Sequence, residues 1–312
     1  LTAMDGVIVI DKPSGPTSHD VVARARRALR EKRVGHTGTL DPLASGVLPL
    51  VIGRATRLAR FLTASHKTYD ATIQLGVTTD TADAQGEPVG DPFEGPWPVA
   101  ADVDAALDLF RGTFPQQPPA YSAKKIDGER SYRLARQGRA DLARPAPVEV
   151  TTFGLDLLQI EHHTIVVRVH CSAGFYVRSL AHDLGERLGT GGHLTALRRT
   201  GSGVFTIDNA IPLSLIDDAS EADRLSAALI PLSGLLHDRP AVVLNDEGDV
   251  RARHGRDISA EHLVMGEEAQ RHLPAATSSD APIRLLTQTG DLLGLALRKH
   301  GSETLHPAVV LV

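Results

Sequence analysis

An apolar segment broken by glycine and proline, residues 34–53, restricts the possible folds of this 312-residue chain more than any other stretch. It holds four glycines and two prolines, and its apolar residues follow neither the helical nor the strand period. An exposed loop this apolar would be unfavourable in water. We therefore expect a loop that packs against the rest of the protein in one fixed shape.

Local patterns around this segment predict regular elements. The β-branched run at residues 6–10 predicts a strand, and Thr17 or Ser18 is placed to cap a following helix. Apolar and polar residues alternate over 68–75, which predicts a strand with Tyr69 on its buried face.

Further along the chain, residues 148–160 and 164–170 predict two strands paired through a turn. Residues 212–236 favour a helix. The short apolar runs beyond it, with Thr-Gly-Asp at 289–291 as a hairpin turn, fit a β-barrel or sandwich of about 70 residues. The sequence thus predicts a large unit followed by a small one.

Composition excludes several classes of protein. The single cysteine, Cys171, excludes a disulfide framework and a cysteine-ligated zinc site. No apolar run approaches the roughly 18–20 residues that a membrane-spanning helix needs. We expect a soluble protein of the cytoplasm.

Charge is distributed unevenly along the chain. From residue 208 onward there are 9 basic and 16 acidic residues, a net charge of −7, which leaves 24 against 22, or +2, for residues 1–207. Residues 11–60 hold 10 basic and 4 acidic residues (+6), and residues 121–145 hold 7 and 3 (+4). These two basic islands are compatible with binding of a polyanion by one face, or with two solvated helix surfaces.

One carboxylate, Asp41, lies inside the apolar segment between Leu40 and Pro42. The proline biases Asp41 away from helical geometry, and a carboxylate among apolar side chains needs a partner. The alternative is an aspartate that bonds its own backbone to form a turn.

Arg178 is the candidate partner of Asp41. It lies in the first turn of a predicted helix, where the helix dipole disfavours a cation, so a bidentate pair with a carboxylate is expected there. No second acid stands out near these motifs. Taken alone, Tyr69 fits a core tyrosine better than a functional one, and the alternative for Arg178 is a surface arginine.

Six short motifs together resemble a known family. They are Asp-Lys-Pro with Thr-Ser-His-Asp at 11–20, Gly-His-Thr-Gly-Thr-Leu-Asp-Pro at 35–42, Lys-Thr-Tyr at 67–69, Tyr-Ser-Ala-Lys-Lys at 121–125 continuing to Ala-Arg-Gln-Gly at 135–138, Tyr-Val-Arg-Ser-Leu at 176–180, and Leu-Arg-Arg-Thr at 197–200. In this order and spacing they resemble the bacterial tRNA pseudouridine-55 synthases, the TruB family.

The resemblance implies an α+β fold with a mixed, mainly antiparallel central sheet flanked by helices. The catalytic domain would span residues 1–237, with an RNA-clamping flap at about 115–147, and a small PUA-like β-barrel would span 238–312. Because the C-terminal unit is acidic, we expect it to add little affinity for RNA, or to contact RNA only through a patch near Arg251, Arg253 and Arg256.

The resemblance also implies the roles of seven residues. The catalytic ones are Asp41 as nucleophile, Tyr69 as the ring that stacks on the uracil and a candidate base, and Arg178 as the partner of Asp41. The substrate-binding ones are His36, which takes the place of the flipped base, Tyr176, Leu197 and Lys12.

The implied activity is isomerisation of uridine 55 in the TΨC loop of tRNA by base flipping, without metal or cofactor. The partner is tRNA, no protein partner is required, and we expect a monomer. A non-catalytic RNA-binding or RNA-folding protein of the same fold is the main alternative. A nucleoside hydrolase would need a second acid or a metal, and a guide-RNA-dependent enzyme of the dyskerin type is disfavoured by the flap sequence.

Overall fold

A mixed β-sheet organises most of the chain. The computed structural model describes residues 4–121, 125–126, 129–130, 145–217, 222–264, 281–299, 302 and 304–311. Within them, the strands are β1 (Gly6–Lys12), β2 (Val34–His36), β3 (Ser45–Ile52), β4 (Lys67–Leu75), β5 (Thr78–Thr79), β6 (Pro88–Val89), β7 (Gly112–Gln116), β8 (Lys125–Ile126), β9 (Glu129–Arg130), β10 (Val148–Glu161), β11 (Thr164–Cys171), β12 (Gly192–Ser202), β13 (Phe205–Thr206), β14 (Ile211–Pro212), β15 (Ile230–Pro231), β16 (Ala241–Val243), β17 (Ile283–Leu286), β18 (Leu292–Arg298) and β19 (Leu305–Val310).

The helices are shorter and lie around the sheet. In the described ranges the α-helices are α1 (Ser18–Leu29), α2 (Ala59–Thr63), α3 (Ala100–Leu107), α4 (Val177–Arg187), α5 (Ser214–Asp217), α6 (Ala222–Ala227) and α7 (Asp246–Arg253). Short 3₁₀ helices cover Gly53–Leu58, Asp108–Phe110, Ile207–Asn209, Leu232–Gly234 and Ala260–His262. None of the helices in these ranges is long and apolar enough to cross a membrane.

The main sheet runs in the order β14-β1-β3-β12-β4-β11-β10-β7, with β2 beside β3, β13 beside β12 and β15 beside β1. The pairs β1–β14 and β3–β12 are parallel, and the other pairs are antiparallel. Helices α1, α3 and α4 share one apolar core with one face of this sheet. The predicted α+β class with a mixed, mainly antiparallel sheet is therefore confirmed.

The expectation of an irregular loop over residues 34–53 is wrong in part. The segment forms β2 and β3 around a short loop, and β3 is buried along almost its whole length. Leu48 and Leu50 join the core under the helices, whereas Val47 and Val51 join the core on the opposite face. A strand buried on both faces has no alternation of polar and apolar residues, so its period is invisible in the sequence.

Strand β4 and helix α1 follow their sequence patterns. Every second residue of β4, starting at Lys67, is buried, and Tyr69 lies on that face as predicted. Thr17 caps α1: its side chain accepts a hydrogen bond from the Asp20 amide, and the Asp20 carboxylate accepts one from the Thr17 amide. This capping box fixes where the helix begins.

The C-terminal unit differs from its prediction. In their described part, residues 212–236 form the short helices α5 and α6, strand β15 and a short 3₁₀ helix, instead of one helix. Strands β16 to β19 form an open four-stranded sheet, and no closed barrel is present in the described residues, so the PUA-like barrel is not confirmed. Short, evenly spaced strands occur in both barrels and open sheets. The spacing of the strands in the sequence therefore does not determine whether the sheet closes into a barrel. The unit packs through Leu292, Leu295 and Leu311 against the back of the main sheet.

The predicted flap falls largely outside the described residues. Of residues 122–144 the structure describes only the backbone of β8 and β9, which pair as a short antiparallel ladder. Most of the second basic island, and the motif residues at 122–124 and 135–138, therefore lie outside the described residues.

Gly46 allows β3 to approach β12 closely, which generates a stability prediction. Its φ is +99°, and a Cβ atom there would lie 2.2 Å from the Arg199 carbonyl oxygen on β12. Gly46→Ala should lower the free energy of unfolding by about 3 kcal/mol or more, because a backbone atom cannot move aside. The measurement is urea unfolding.

Gly15→Ala is the matched control. Gly15 also has a positive φ, +111°, but apart from its own neighbours in the chain no atom lies within 4 Å of the position that its Cβ would take. It should lose about 1–2 kcal/mol from backbone strain alone. Equal losses in the two variants would contradict the close-approach argument.

Candidate active site

The loop between β2 and β3 carries Asp41, and helix α1 holds this loop in place. The Ser18 hydroxyl donates to the Leu40 carbonyl oxygen (3.0 Å) and accepts from the Leu40 amide (2.8 Å). Just before the helix, the Gly15 amide donates to the Pro42 carbonyl oxygen (2.8 Å). The backbone is thus held on both sides of Asp41, which fixes the position from which its side chain extends.

Arg199 on β12 also binds this loop, and it is only 1% exposed. The guanidinium donates from Nη2 to the Gly38 carbonyl oxygen (3.1 Å), from Nη1 to Thr39 (3.4 Å), and from Nε to the Val47 carbonyl oxygen (2.7 Å). One buried cation therefore ties the loop to the first residues of β3.

Arg178 and Asp41 form the predicted ion pair, but not in the expected bidentate geometry. Arg178 Nε lies 3.0 Å from Asp41 Oδ2. The other two nitrogens of the guanidinium donate to the backbone carbonyl oxygens of Thr81 (3.2 Å) and Tyr121 (2.9 Å). The arginine side chain is 8% exposed and the aspartate side chain 41% exposed, so the carboxylate keeps an open side.

A second carboxylate, Asp83, was missed by the sequence analysis. Its Oδ2 lies 3.7 Å from Arg178 Nε, and its side chain is 6% exposed. Its Oδ1 accepts hydrogen bonds from the Thr81 hydroxyl (2.7 Å) and the Gln85 amide (3.0 Å). The buried guanidinium thus faces one enclosed carboxylate and one open carboxylate. The signal in the sequence was the run Thr-Asp-Thr-Ala-Asp at 79–83.

A cavity of about 290 Å³ opens beside Asp41, and we call it the catalytic cavity. Five of the seven predicted residues line it: Asp41, Tyr69, Tyr176, Arg178 and Leu197. They come from a loop, from β4, from the start of α4 and from β12, and they are distant in sequence. The structure therefore brings together an acid, its cationic partner, two phenol rings and an apolar wall.

Tyr69 is almost completely enclosed in the wall of the catalytic cavity. Burial raises the pKa of its phenol, and the nearby Arg199 charge and a hydrogen bond from that side chain oppose the rise. A raised pKa keeps the phenol protonated at neutral pH. This favours Tyr69 as a flat surface and hydrogen-bonding group over Tyr69 as a base.

The other two predicted residues, His36 and Lys12, are not among the residues that line the cavity. The His36 ring lies edge-on to His19, with centroids 5.8 Å apart. Burial, followed by the charges of His19 and Arg199, lowers the pKa of His36 to about 4, so this ring is neutral at pH 7. Lys12 is fully buried and donates from Nζ to the Pro13 carbonyl oxygen (2.9 Å).

Lys67 is a further lining residue that the sequence analysis did not single out as a site residue. It is 6% exposed, and its Nζ donates to the Thr63 carbonyl oxygen (3.0 Å) and lies 3.3 Å from the Ser65 hydroxyl. Burial, then the charge of Arg199, lowers its pKa to about 8. Its ammonium is thus bound by oxygens of the neighbouring residues 63 and 65.

No group of three or more histidine, cysteine, aspartate or glutamate residues in the described part of the chain is arranged to hold a metal ion. The chemistry that the cavity offers is that of one partly open carboxylate held by a cation in a mostly apolar setting. Such a carboxylate is suited to act as a nucleophile or as a base.

Two family models match consecutive parts of the chain. Residues 26–177 match the N-terminal domain of the TruB family of pseudouridylate synthases, and residues 178–237 match the C-terminal domain of tRNA pseudouridylate synthase B. The boundary between the two matches falls between Val177 and Arg178, inside the candidate site.

Full-length relatives and solved structures agree with these matches. A tRNA pseudouridine synthase B from Solibacter usitatus is 45% identical over 99% of this chain and 100% of its own length. One from Geobacter sulfurreducens is 44% identical over 88% of each chain. Among solved structures, a chain of a Cbf5-Nop10-Gar1 complex matches with a TM-score of 0.76 and 28% identity over 99% of this chain and 85% of its own. A chain of an H/ACA ribonucleoprotein bound to a substrate RNA matches with a TM-score of 0.72 and 25% identity, over 98% and 85%.

The contacts of Arg199 generate a prediction about the loop. Arg199→Lys keeps the charge but has a single donor group, so it cannot reach the carbonyl oxygens of Gly38, Thr39 and Val47 together. We expect kcat to fall by about 10²-fold, because a loop displaced by about 1 Å misplaces Asp41. Steady-state kinetics with unmodified tRNA, the substrate class named for the relatives, measures this.

Arg198→Lys is the control for this prediction. Arg198 is the next residue, its side chain is 42% exposed, and it pairs with Asp11 instead of the loop. Its kcat should stay within about twofold of the wild-type value, since an exposed pair contributes only about 0–1 kcal/mol. If both variants lose kcat equally, Arg199 has no special role in placing the loop.

Proposed function

The chain belongs to the TruB family of tRNA pseudouridine synthases, enzymes that isomerise uridine in tRNA, and we propose that its target is uridine 55 in the TΨC loop. The observation that carries the chemical part of this proposal is the Asp41–Arg178 pair at the open catalytic cavity. The choice of position 55 rests on the sequence resemblance to the pseudouridine-55 synthases.

In this proposal Asp41 is the nucleophile. Its carboxylate has an open side on the catalytic cavity, and Arg178 holds its direction from the enclosed side. Attack on C1′ of the ribose, attack on C6 of the uracil, and a glycal route all use a carboxylate at this place. Asp83 remains beside Arg178 in each case, so the buried guanidinium keeps a partner when Asp41 becomes an ester or an acid.

The target base must leave its stack to reach Asp41, so the proposal includes base flipping. Extruding a base costs a few kcal/mol, and stacking on an aromatic ring returns about 1–3 kcal/mol. In this proposal Tyr69 supplies that ring and Leu197 and Tyr176 form further walls, which is supported by the position of all three residues along the catalytic cavity. His36, neutral and just outside the cavity, is suited to enter the space that the base vacates.

Electrostatics support RNA as the ligand. Residues 11–60, which include the candidate loop and α1, carry a local charge of +6, whereas the chain from residue 208 onward carries −7. Phosphate contacts from one face would supply most of the affinity and would make binding weaken as salt rises. A pure RNA-binding protein gains nothing from a carboxylate facing a polyanion, which favours the enzyme over the non-catalytic alternative.

The remaining parts of the proposal concern organisation. We propose a catalytic unit over residues 1–237 and a C-terminal unit over 238–312, a flap at about 115–147, and a monomer that needs no protein partner, metal or cofactor. We also propose that the enzyme acts in the cytoplasm. The acidic C-terminal unit would contribute little to RNA affinity, except through a patch near Arg251, Arg253 and Arg256.

The test is to incubate unmodified tRNA with the protein and map pseudouridine by carbodiimide treatment and primer extension. The wild-type chain should give one stop, at position 55. Asp41→Asn should give none while binding tRNA with a Kd within about threefold of wild type, because the amide keeps the shape of the side chain but is not a nucleophile.

Asp70→Asn is the control for loss of an Asp–Arg pair. Asp70 forms a bidentate pair with Arg168 (2.7 and 2.8 Å) on β4 and β11, outside the catalytic cavity. This variant should retain full turnover. Turnover by Asp41→Asn, or a stop at another uridine, would contradict the proposed role or the proposed target.

A further inference from the structure

Residues 114–121, which comprise the end of β7 and the segment that follows it, contact the start of α4, and we call them the brace. The carbonyl oxygen of Tyr121 at one end of the brace accepts a hydrogen bond from Arg178 (2.9 Å). Gln116 in its middle is 1% exposed and does not line the catalytic cavity. We propose that Gln116 is a positioning residue, whose amide holds the start of α4 in the orientation that brings Arg178 to Asp41. This inference rests on the proposed roles of Asp41 and Arg178.

The start of α4 lacks the groups that usually stabilise the first turn of a helix. Tyr176 is the residue before the helix, and its side chain makes no capping hydrogen bond. The first turn holds no acidic residue, and it contains Arg178, whose charge the helix dipole opposes. A helix that begins in this way needs partners from another part of the chain.

Gln116 supplies such partners with both ends of its amide. Its Nε2 donates to the Tyr176 carbonyl oxygen (2.9 Å), and its Oε1 accepts from the Tyr176 amide (2.8 Å). Two hydrogen bonds to one residue restrain the rotation of that residue as well as its position. A buried amide is unfavourable unless both of its ends are bonded, and here both are. Arg178 follows two residues later, so its direction depends on how Tyr176 is held.

The other contacts of the brace reach the same stretch of chain. The Ser179 hydroxyl donates to the Gln117 carbonyl oxygen (2.7 Å), and the ring of Phe114 lies edge-on to the ring of Phe175, with centroids 6.3 Å apart. Together with the hydrogen bonds above, these contacts involve four of the five residues at 175–179. The brace therefore holds the chain on both sides of Arg178.

The geometry of Arg178 makes its activity sensitive to this support. Its planar guanidinium places Nε 3.0 Å from Asp41 Oδ2 while its other two nitrogens donate to the Thr81 and Tyr121 carbonyl oxygens. A rigid group with three fixed directions cannot keep all of these contacts if the helix start rotates. Gln116 itself is outside the cavity, so its loss should affect the alignment of Asp41 and leave the contacts with tRNA in place.

The test is Gln116→Met, which keeps a buried side chain of similar length and removes both hydrogen bonds. We expect kcat to fall by about 30-fold, because misplacement of Arg178 misaligns Asp41, while KM for unmodified tRNA stays within about threefold of wild type.

A double variant shows whether the effect passes through Arg178. In Arg178→Lys the contact with Asp41 is already disrupted, so adding Gln116→Met should lower kcat by no more than about threefold beyond Arg178→Lys alone. A purely structural role of Gln116 would instead multiply the two losses.

Gln74→Met is the matched control. Gln74 on β4 also uses both ends of its amide, since its Oε1 accepts from the Thr164 hydroxyl (3.2 Å) and its Nε2 donates to the Leu75 carbonyl oxygen (3.4 Å). It lies outside the catalytic cavity, and these bonds do not involve α4. Its kcat should remain within about twofold of wild type.

Ser179→Ala keeps the inference testable if melting curves show that Gln116→Met does not fold. It removes the hydrogen bond to Gln117 with a smaller change of side chain. Its kcat should fall by about fivefold, and this loss should also disappear in the Arg178→Lys background.

Three results would overturn the inference. They are a folded Gln116→Met with kcat within twofold of wild type, a loss carried mainly by KM, and a double variant in which the two losses multiply. Turnover by Asp41→Asn, or absence of pseudouridine with the wild-type chain, would instead refute the proposed function.

Discussion

A buried guanidinium between two carboxylates is the interaction on which the rest of the site depends. Arg178 is nearly enclosed, and its Nε faces Asp41 at 3.0 Å and Asp83 at 3.7 Å. Removing one partner of a buried ion pair usually costs about 3–5 kcal/mol, because the other charge is left without compensation. In the proposed mechanism Asp83, whose carboxylate accepts hydrogen bonds from Thr81 and Gln85, keeps Arg178 paired while Asp41 reacts, so that this cost is avoided.

The sheet explains why this arrangement is rigid. Strand β3 begins where Gly46 touches β12, and Arg199 of β12 reaches back to the loop that precedes β3. Helix α1 holds the same loop from the other side through Ser18. The carboxylate is therefore positioned by backbone groups from three elements, which suits a reaction in which placement of one group decides the rate.

Local patterns in the sequence predicted a large part of the fold. The alternation in β4, the Thr17 cap and the hairpin of β10 and β11 depend on neighbours in the chain, and all three are present. Strand β3 was not predicted because both of its faces are buried, which removes the alternation of polar and apolar residues. The C-terminal sheet is open instead of closed, and the spacing of its strands in the sequence does not distinguish the two.

The candidate site was predictable only in part, for a related reason. Asp41 and Arg178 stand out because each is unfavourable in its own local setting, an apolar loop and a helix N-terminus. Asp83 and Arg199 look ordinary in the sequence, and only the packing of distant elements shows that they are buried beside the same loop and ion pair. Their importance comes from tertiary contacts, which no local pattern contains.

The most direct measurement is the single-turnover rate of pseudouridine formation by Arg178→Lys, with tRNA affinity and melting temperature determined in parallel. Lysine keeps the positive charge but cannot bind Asp41 while also reaching the Thr81 and Tyr121 carbonyl oxygens. The account predicts a rate at least about 10²-fold below wild type with tRNA affinity nearly unchanged. A folded variant with a rate within a few-fold of wild type would contradict it.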